Sequence, residues 1–472
     1  MKNSSEEFPF NGNESNESVL IDRYESMLSQ GEVYFYDVDE FEEIIEHYTI
    51  SNELQVAFNA VDMAKSQHPQ SLTFMLKEAE LLAYSNRAGE ALKTIENLEL
   101  LEASNTEIYI TKASILSQQG KYKLALGALE YALTFAPDNI EDIYMSMAFE
   151  YQNLNKIPEA IDILKKVLTL DTSNEDALYE IAYCFDITNF QNNAIEFFKN
   201  YIDENPYSSH GWYNLGNSYS AIKNFDFAIK AYDYCIVIDE MFSSAYFNKA
   251  NIYAKQDKYL DAIDVYQQCL DLEQGGAITY FYMAECYFNM NGLNKALLYY
   301  KKAVAHDDKY SEAWMGMGET LAQLNRFEEA VGFMEKSLSI DELNPENWLA
   351  VAETYEKINK SKKALDAYAK ALDIDNNFID AYIESAEYYF TQGYTDHALD
   401  SILTGIENNP EAAELYYRLA AFQLELGKKE KGLTALQFAL ELNHDIHPLL
   451  FEYFNKAEYI DDVVDLIEIN KK

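Results

Sequence analysis

Basic residues, proline, glycine and cysteine are all scarce in this chain, and each scarcity excludes something. Lysine and arginine number 36 against 80 aspartates and glutamates, a formal net charge of −44 over 472 residues. A field of that sign repels phosphates and anionic lipid, and no basic stripe offsets it, so neither nucleic acid nor a membrane surface is an expected partner. Eight prolines and 17 glycines are too few for a low-complexity or loop-dominated chain. The four cysteines, Cys184, Cys235, Cys269 and Cys286, include no C-x-x-C pair. Their spacing argues against a disulfide framework or a metal site and suits a reducing compartment, with the thiols packed as small hydrophobes. No run approaches 18 consecutive apolar residues, which argues against a membrane span. The opening stretch MKNSSEEFPFNGNESNE lacks the basic start and apolar run of a secretory signal, so a cytoplasmic location is expected.

Catalytic signatures are missing as well. There is no Gly-rich phosphate loop, no G-x-S-x-G elbow and no H-E-x-x-H. His444 and His447 form an H-x-x-H pair without a third ligand signature. Eighty carboxylates guarantee accidental pairs, and their helical spacing marks solvated faces. The expectation is a protein with no enzymatic chemistry, no cofactor and no bound metal.

What the chain has is period. Alanine recurs at Ala57, Ala91, Ala125, Ala160, Ala194, Ala228, Ala262, Ala296, Ala330, Ala364 and Ala398, with Gly432 next, at steps of 34 residues broken once by 35. A fixed period of this length means one supersecondary unit repeated and stacked, each burying its apolar face against its neighbours. Placing this ladder at position 20 sets twelve units, starting at Val38, Leu72, Thr106, Glu141, Glu175, Ser209, Ser243, Ala277, Ser311, Pro345, Ile379 and Ala413. Other residue classes fall into the same register. Position 8 is alanine or glycine in every unit but the first, where it is Ile45; Trp212, Trp314 and Trp348 all fall at position 4. Pro69, Pro137, Pro206 and Pro410 fall at position 32, where a proline ends a second helix without removing a needed hydrogen bond. Apolar residues make up 48% and aromatics 14%, including 38 tyrosines and 26 phenylalanines, ample for a core running along a stack of repeats.

The unit 209–242 reads Trp212, Leu215, Gly216, Tyr219, then Ala228 and Tyr232. It resembles the W-x-x-L-G-x-x-Y and A-x-x-x-aromatic pattern of the tetratricopeptide repeat (TPR), and the whole chain looks most like the many-repeat TPR proteins of bacteria. The resemblance implies an all-α fold, an α-solenoid superhelix of helix-turn-helix repeats over residues 38–446. Outside it the sequence suggests a disordered polar tail at 1–17 and an N-terminal capping segment at 18–37 with a helix from Ser18 to Ser29. Capping helices from Leu449 to Ala457 and from Tyr459 to Ile469 are expected within 447–472.

In this register positions 4, 8 and 11 of the first helix point to its partner helix, leaving positions 2, 5, 6, 9 and 12 on another face. In TPR proteins that face lines the concave groove. Position 5 is apolar in every repeat after Glu42, and its rings run unbroken only through repeats five to eight, at Tyr179, Tyr213, Phe247 and Phe281. Tyr183 and Tyr282 add rings at neighbouring positions, and Asn214, Asn217, Asn248 and Asn251 add amides suited to a peptide backbone. These ten residues form the expected site for a peptide or protein segment, with packing on the adjacent repeat as the competing role for the rings. On both sides the face turns acidic, at Glu42, Glu43, Glu46 and Glu80 and at Glu319, Glu353, Glu384 and Glu387, which favours a basic partner or serves solubility. The clamp by which some TPR domains hold the carboxylate tail of heat-shock chaperones needs basic residues where this chain has Tyr213, Ile278 and Tyr282, although Asn217 and Asn248 fit its two asparagines. Docking of that kind is not expected. An interaction scaffold or adaptor is the leading expectation; a chaperone-like protein shielding a basic client and an accessory subunit of an enzyme complex are the alternatives.

Overall fold

The computed structural model describes residues 16–135, 138–272 and 276–471. The polar tail up to residue 15 and Pro137 lie outside the described residues. Among the described residues all regular structure is helical, and from Val38 to Leu442 the helices run as consecutive pairs, one pair per 34-residue unit. The first helix of each pair opens at the residue that starts the unit, except that the fourth opens at Ile140, one residue early.

The turn inside each pair repeats its chemistry. Position 15 adopts the left-handed conformation in all twelve units: Asn52, Asn86, Asn155, Asn189, Lys223, Asp257, Asn291, Asn325 and Asn359, with Gly120, Gly393 and Gly427. The next amide then reaches back five residues to a carbonyl of the first helix, as in Lys121 N–H to Leu116 O at 2.9 Å, Gly292 N–H to Tyr287 O at 2.7 Å and Lys428 N–H to Gln423 O at 2.8 Å. This is a Schellman closure, and it satisfies carbonyls that the helix end would otherwise leave unpaired. Asparagine, aspartate and glycine tolerate positive φ and fill eleven of the twelve positions; Lys223, at φ +59°, is the exception.

Two small-residue ladders and one large one build the core. The position-20 alanines are buried from Ala57 to Ala398, as is Gly432. Position 24 is filled by large side chains that are buried throughout, among them Phe198, Tyr232, Tyr266, Tyr300, Met334 and Tyr368. Position 8 lies against them so closely that a Cβ on Gly216 would come within 2.5 Å of the Tyr232 ring and one on Gly318 within 2.4 Å of Met334 Cγ. The position-4 tryptophans clasp the preceding turn: Trp212, Trp314 and Trp348 donate from Nε1 to the carbonyls of Pro206, Asp308 and Glu342, each at 2.9 Å. All four cysteines are buried.

The chain divides into two compact units, Met1–Ile238 and Asp239–Lys472. The first contains the opening helix Asn16–Gln30 and six helix pairs. That helix begins two residues before the expected Ser18 and buries Tyr24 and Met27 in a cluster with Tyr36, Phe41 and Phe74. The second contains six pairs and a closing segment. There the expected helix from Leu449 to Ala457 is shorter, Pro448–Tyr453, because Phe454 leaves helical geometry at φ −145° and a 3-10 turn, Asn455–Tyr459, follows. A last helix, Asp461–Ile469, completes the segment. Leu450, Ala457 and Val463 are fully buried on the last repeat. His444 and His447 serve this closure: His444 Nε2 lies 3.1 Å from the Ile467 carbonyl oxygen, and His447 Nδ1 lies 2.9 Å from that of His444. Among the described residues no helix is long and apolar enough to cross a membrane.

Candidate functional site

The ten expected site residues fall in both units. In the first, Tyr179 and Tyr183 stand one turn apart on the helix Glu175–Thr188 and are 67% and 48% exposed. Tyr213 is only partly exposed and packs on Tyr232 with ring centroids 6.0 Å apart. Asn214 differs from expectation: it is 6% exposed, because the face that holds Leu215 and Gly216 against the partner helix is wide enough to take position 6 with it. Asn217 accepts a hydrogen bond from the Tyr232 hydroxyl at 2.7 Å, so its carbonyl oxygen is held by the fold.

In the second unit the same arrangement recurs one repeat on, where the Tyr266 hydroxyl donates to Asn251 Oδ1. Phe247 sits partly buried between Tyr266 and Tyr282, with centroids at 5.7 and 5.5 Å. Phe281 packs on Tyr300 and Tyr310 at 5.8 and 5.2 Å. Tyr282 is exposed at the edge of this cluster, and Asn248 is partly exposed. Ring packing within the repeats therefore accounts for much of the position-5 stripe here.

Position 9 then turns acidic. Glu285 accepts from the Tyr300 hydroxyl, the counterpart of the tyrosine–asparagine contacts above. Glu319 reaches solvent from a face crowded by protein; burial, followed by the charges of Glu285, Glu346 and Glu353, pushes its pKa up to about 7. Burial, then Glu384, raises that of Glu353. The series ends at Glu387, which pairs with the nearly buried Arg418. The Arg418 guanidinium lies over the rings of Phe422 and Tyr453, each at 4.5 Å.

Two residues of the first unit escaped the sequence reading. Phe149, at position 9 of the fourth repeat, is 57% exposed. Glu150, at position 10, is 4% exposed. Position 10 is otherwise His47, Leu81, Ile115, Cys184, Ser218, Ile252, Cys286, Thr320, Thr354, Tyr388 and Phe422. A carboxylate at a core register position was the signal available in the sequence. Both residues line a cleft of about 480 Å³ between the helices Thr106–Gln118 and Ile140–Asn153, together with Ile110 and Met145 at position 5. Burial raises the Glu150 pKa, against a hydrogen bond from Ser117.

Comparison with known proteins finds the same repeat in parts of this chain. Models of the tetratricopeptide repeat match residues 141–174, 243–275 and 345–378, and a second model of that repeat matches 283–347. Over 93 residues the chain is 36% identical to the uncharacterized protein ycf37 of Cyanophora paradoxa; the alignment covers 20% of this chain and 53% of that protein, so the chain spans about half the length of this curated relative. Similar solved structures include YrrB, described as a TPR protein with an unusual peptide-binding site, at 23% identity and a TM-score of 0.34 over 40% of this chain and 97% of that one. Another is the APC/C hetero-tetramer Cut9-Hcn1, at 13% identity and a TM-score of 0.40 over 84% and 94%.

Proposed function

From the premise that this chain is a tetratricopeptide-repeat protein, a fold of interaction scaffolds, we propose that it binds a peptide segment of a partner protein along the position-5 and position-9 face of its repeats and performs no chemistry of its own. One observation carries this reading. Phe149, Tyr179 and Tyr183, on the first helices of two successive repeats, are each about half exposed or more, whereas the equivalent rings Tyr213 and Phe247 are partly buried on neighbouring side chains. Large rings left open to solvent gain little from the fold, while at an interface they supply area with little rotamer entropy to lose. We place the centre of the site in repeats four and five of the first unit, with Tyr213 and Asn217 of that unit in supporting roles; Phe247, Asn248, Asn251, Phe281 and Tyr282 belong to the second unit and pack or hydrogen-bond there. A net charge of −44 steers a basic partner toward this protein, and the cytoplasm is the proposed location.

Photo-crosslinking tests the assignment. A benzophenone side chain placed at position 179 or 183 should capture a partner that one placed at Asp203, on the second helix of the same repeat, does not. Tyr179→Ala and Tyr183→Ala should each weaken that partner's binding about tenfold, or ~1.4 kcal/mol, with an unchanged melting temperature. Equal capture from position 203, or full affinity in both variants, would place the binding surface elsewhere.

A further inference from the structure

Beside the exposed rings of the first unit lies a feature that packing does not explain. Glu150 belongs to the helix Ile140–Asn153, is 4% exposed, and its Oε2 has no hydrogen-bond partner. A carboxylate left in this state is costly, and a repeat that needed only packing would carry an apolar residue there, as Ile115 and Ile252 do at the same register position. The cleft whose floor Glu150 forms has two kinds of wall. Ile110, Met145 and Phe149 line it with apolar surface, while Ser114, Ser117 and Ser146 contribute hydroxyls. Ser146 donates its proton to the Asp142 carbonyl at 2.9 Å, which leaves its oxygen able to accept. The cleft is about 480 Å³, roomy enough for one long side chain of a bound peptide.

We infer that this cleft is a specificity pocket for a lysine side chain of the partner, with Glu150 as the buried counter-ion. The proposal rests on the reading that the partner is a peptide lying along this face. The apolar walls suit the methylene stem of lysine. At the floor, a turn of the Glu150 carboxyl about its last torsion, which is a soft one, presents Oε2 to the ammonium. The serine oxygens take its remaining protons. Lysine is favoured over arginine by the donor count. Oε2 is the carboxylate oxygen buried without a partner, a single acceptor, whereas a guanidinium draws its advantage from engaging both oxygens of a carboxylate at once. Glutamate at this site also fits the absence of any basic residue among those lining the cleft.

The test uses the full chain and defined peptides, Ac-Ala-Ala-Lys-Ala-Ala-NH2 and its norleucine and arginine counterparts, titrated by NMR. The lysine peptide should shift the signals of Ser114, Phe149 and Glu150 and bind about tenfold tighter than the norleucine peptide, with the arginine peptide between them. Glu150→Gln should keep the fold, read by circular dichroism, and erase the difference between lysine and norleucine. Should that variant unfold, Ser114→Leu, which fills the mouth of the cleft from an exposed position, must abolish the same shifts. No preference for lysine over norleucine, tighter binding of arginine, or a preference that survives Glu150→Gln would each overturn the proposal. None of these results touches capture from positions 179 and 183, so failure of the lysine pocket and failure of the peptide-binding reading are separately visible.

Discussion

The same substitution, glycine to alanine inside a helix, should have opposite signs at two places in the first unit. At Gly216 a Cβ would stand 2.5, 2.7 and 3.0 Å from three atoms of the Tyr232 ring. Ordinary carbon contacts lie near 3.5–4.0 Å, so the ring must retreat by about 1 Å. It has little room to do so. Tyr232 is 1% exposed, and its hydroxyl is tied to Asn217 at 2.7 Å. Overpacking of this kind costs roughly 1–3 kcal/mol, while removing glycine from a helix returns about 1 kcal/mol. With the ring pinned, Gly216→Ala should therefore lose a net of up to ~2 kcal/mol. Gly127, in the helix Tyr122–Leu133, has nothing within 4 Å of its would-be Cβ, and Gly127→Ala should gain about 1 kcal/mol. Repeat stacks open locally, so the sensitive assay is native-state hydrogen exchange read on the helices Ser209–Ala221 and Tyr122–Leu133, alongside urea unfolding followed by circular dichroism. Protection should fall around Gly216 and rise around Gly127. If both variants gain protection to the same degree, Tyr232 does not limit the approach of the two helices and the small-residue ladder is not a packing requirement.

Three further outcomes follow from the structure. Lys223→Gly removes the one side chain without a local reason to adopt φ +59° and should stabilise the first unit by ~0.5–1 kcal/mol in thermal melts, whereas Lys223→Val should destabilise it. Glu319 has its pKa raised from 4.5 to about 7 by burial and by Glu285, Glu346 and Glu353; the folded state favours its protonated form, so its share of stability is whole below pH 4.5 and is lost as the pH climbs through about 7. The urea midpoint of Glu319→Gln should accordingly gain on the parent across that window, and a constant difference would refute the shift. Partner affinity should weaken as added salt brings the Debye length below ~8 Å; an affinity indifferent to salt would reduce the net charge of −44 to a solubility device.

The parts of this molecule legible in its sequence are those in which one residue type answers one steric demand twelve times. Alanine at position 20 and alanine or glycine at position 8 are read directly because only a small side chain fits beside Tyr232 or Met334. The position-15 asparagines and glycines are equally periodic, and they become interpretable once their positive φ is seen. The face for a partner is harder, because one pattern serves two demands. A ring at position 5 reads the same whether it faces solvent, as Tyr179 does, or leans on a tyrosine of its own repeat, as Tyr213 does. Position 24 separates the two cases. Where it is tyrosine, as at Tyr232 and Tyr266, the ring at position 5 packs against it and its hydroxyl donates to the amide oxygen at position 9; where it is Phe198, in the repeat of Tyr179 and Tyr183, it has no hydroxyl to give and the position-5 and position-9 rings stay open. Asparagine at position 9 thus hydrogen-bonds within its own repeat, and the run Asn214 to Asn217 has a structural role that its sequence pattern alone does not separate from ligand binding. Glu150 is the converse: nothing in its own repeat pairs Oε2, and a departure from the register that the fold does not repay is where a partner is most economically sought.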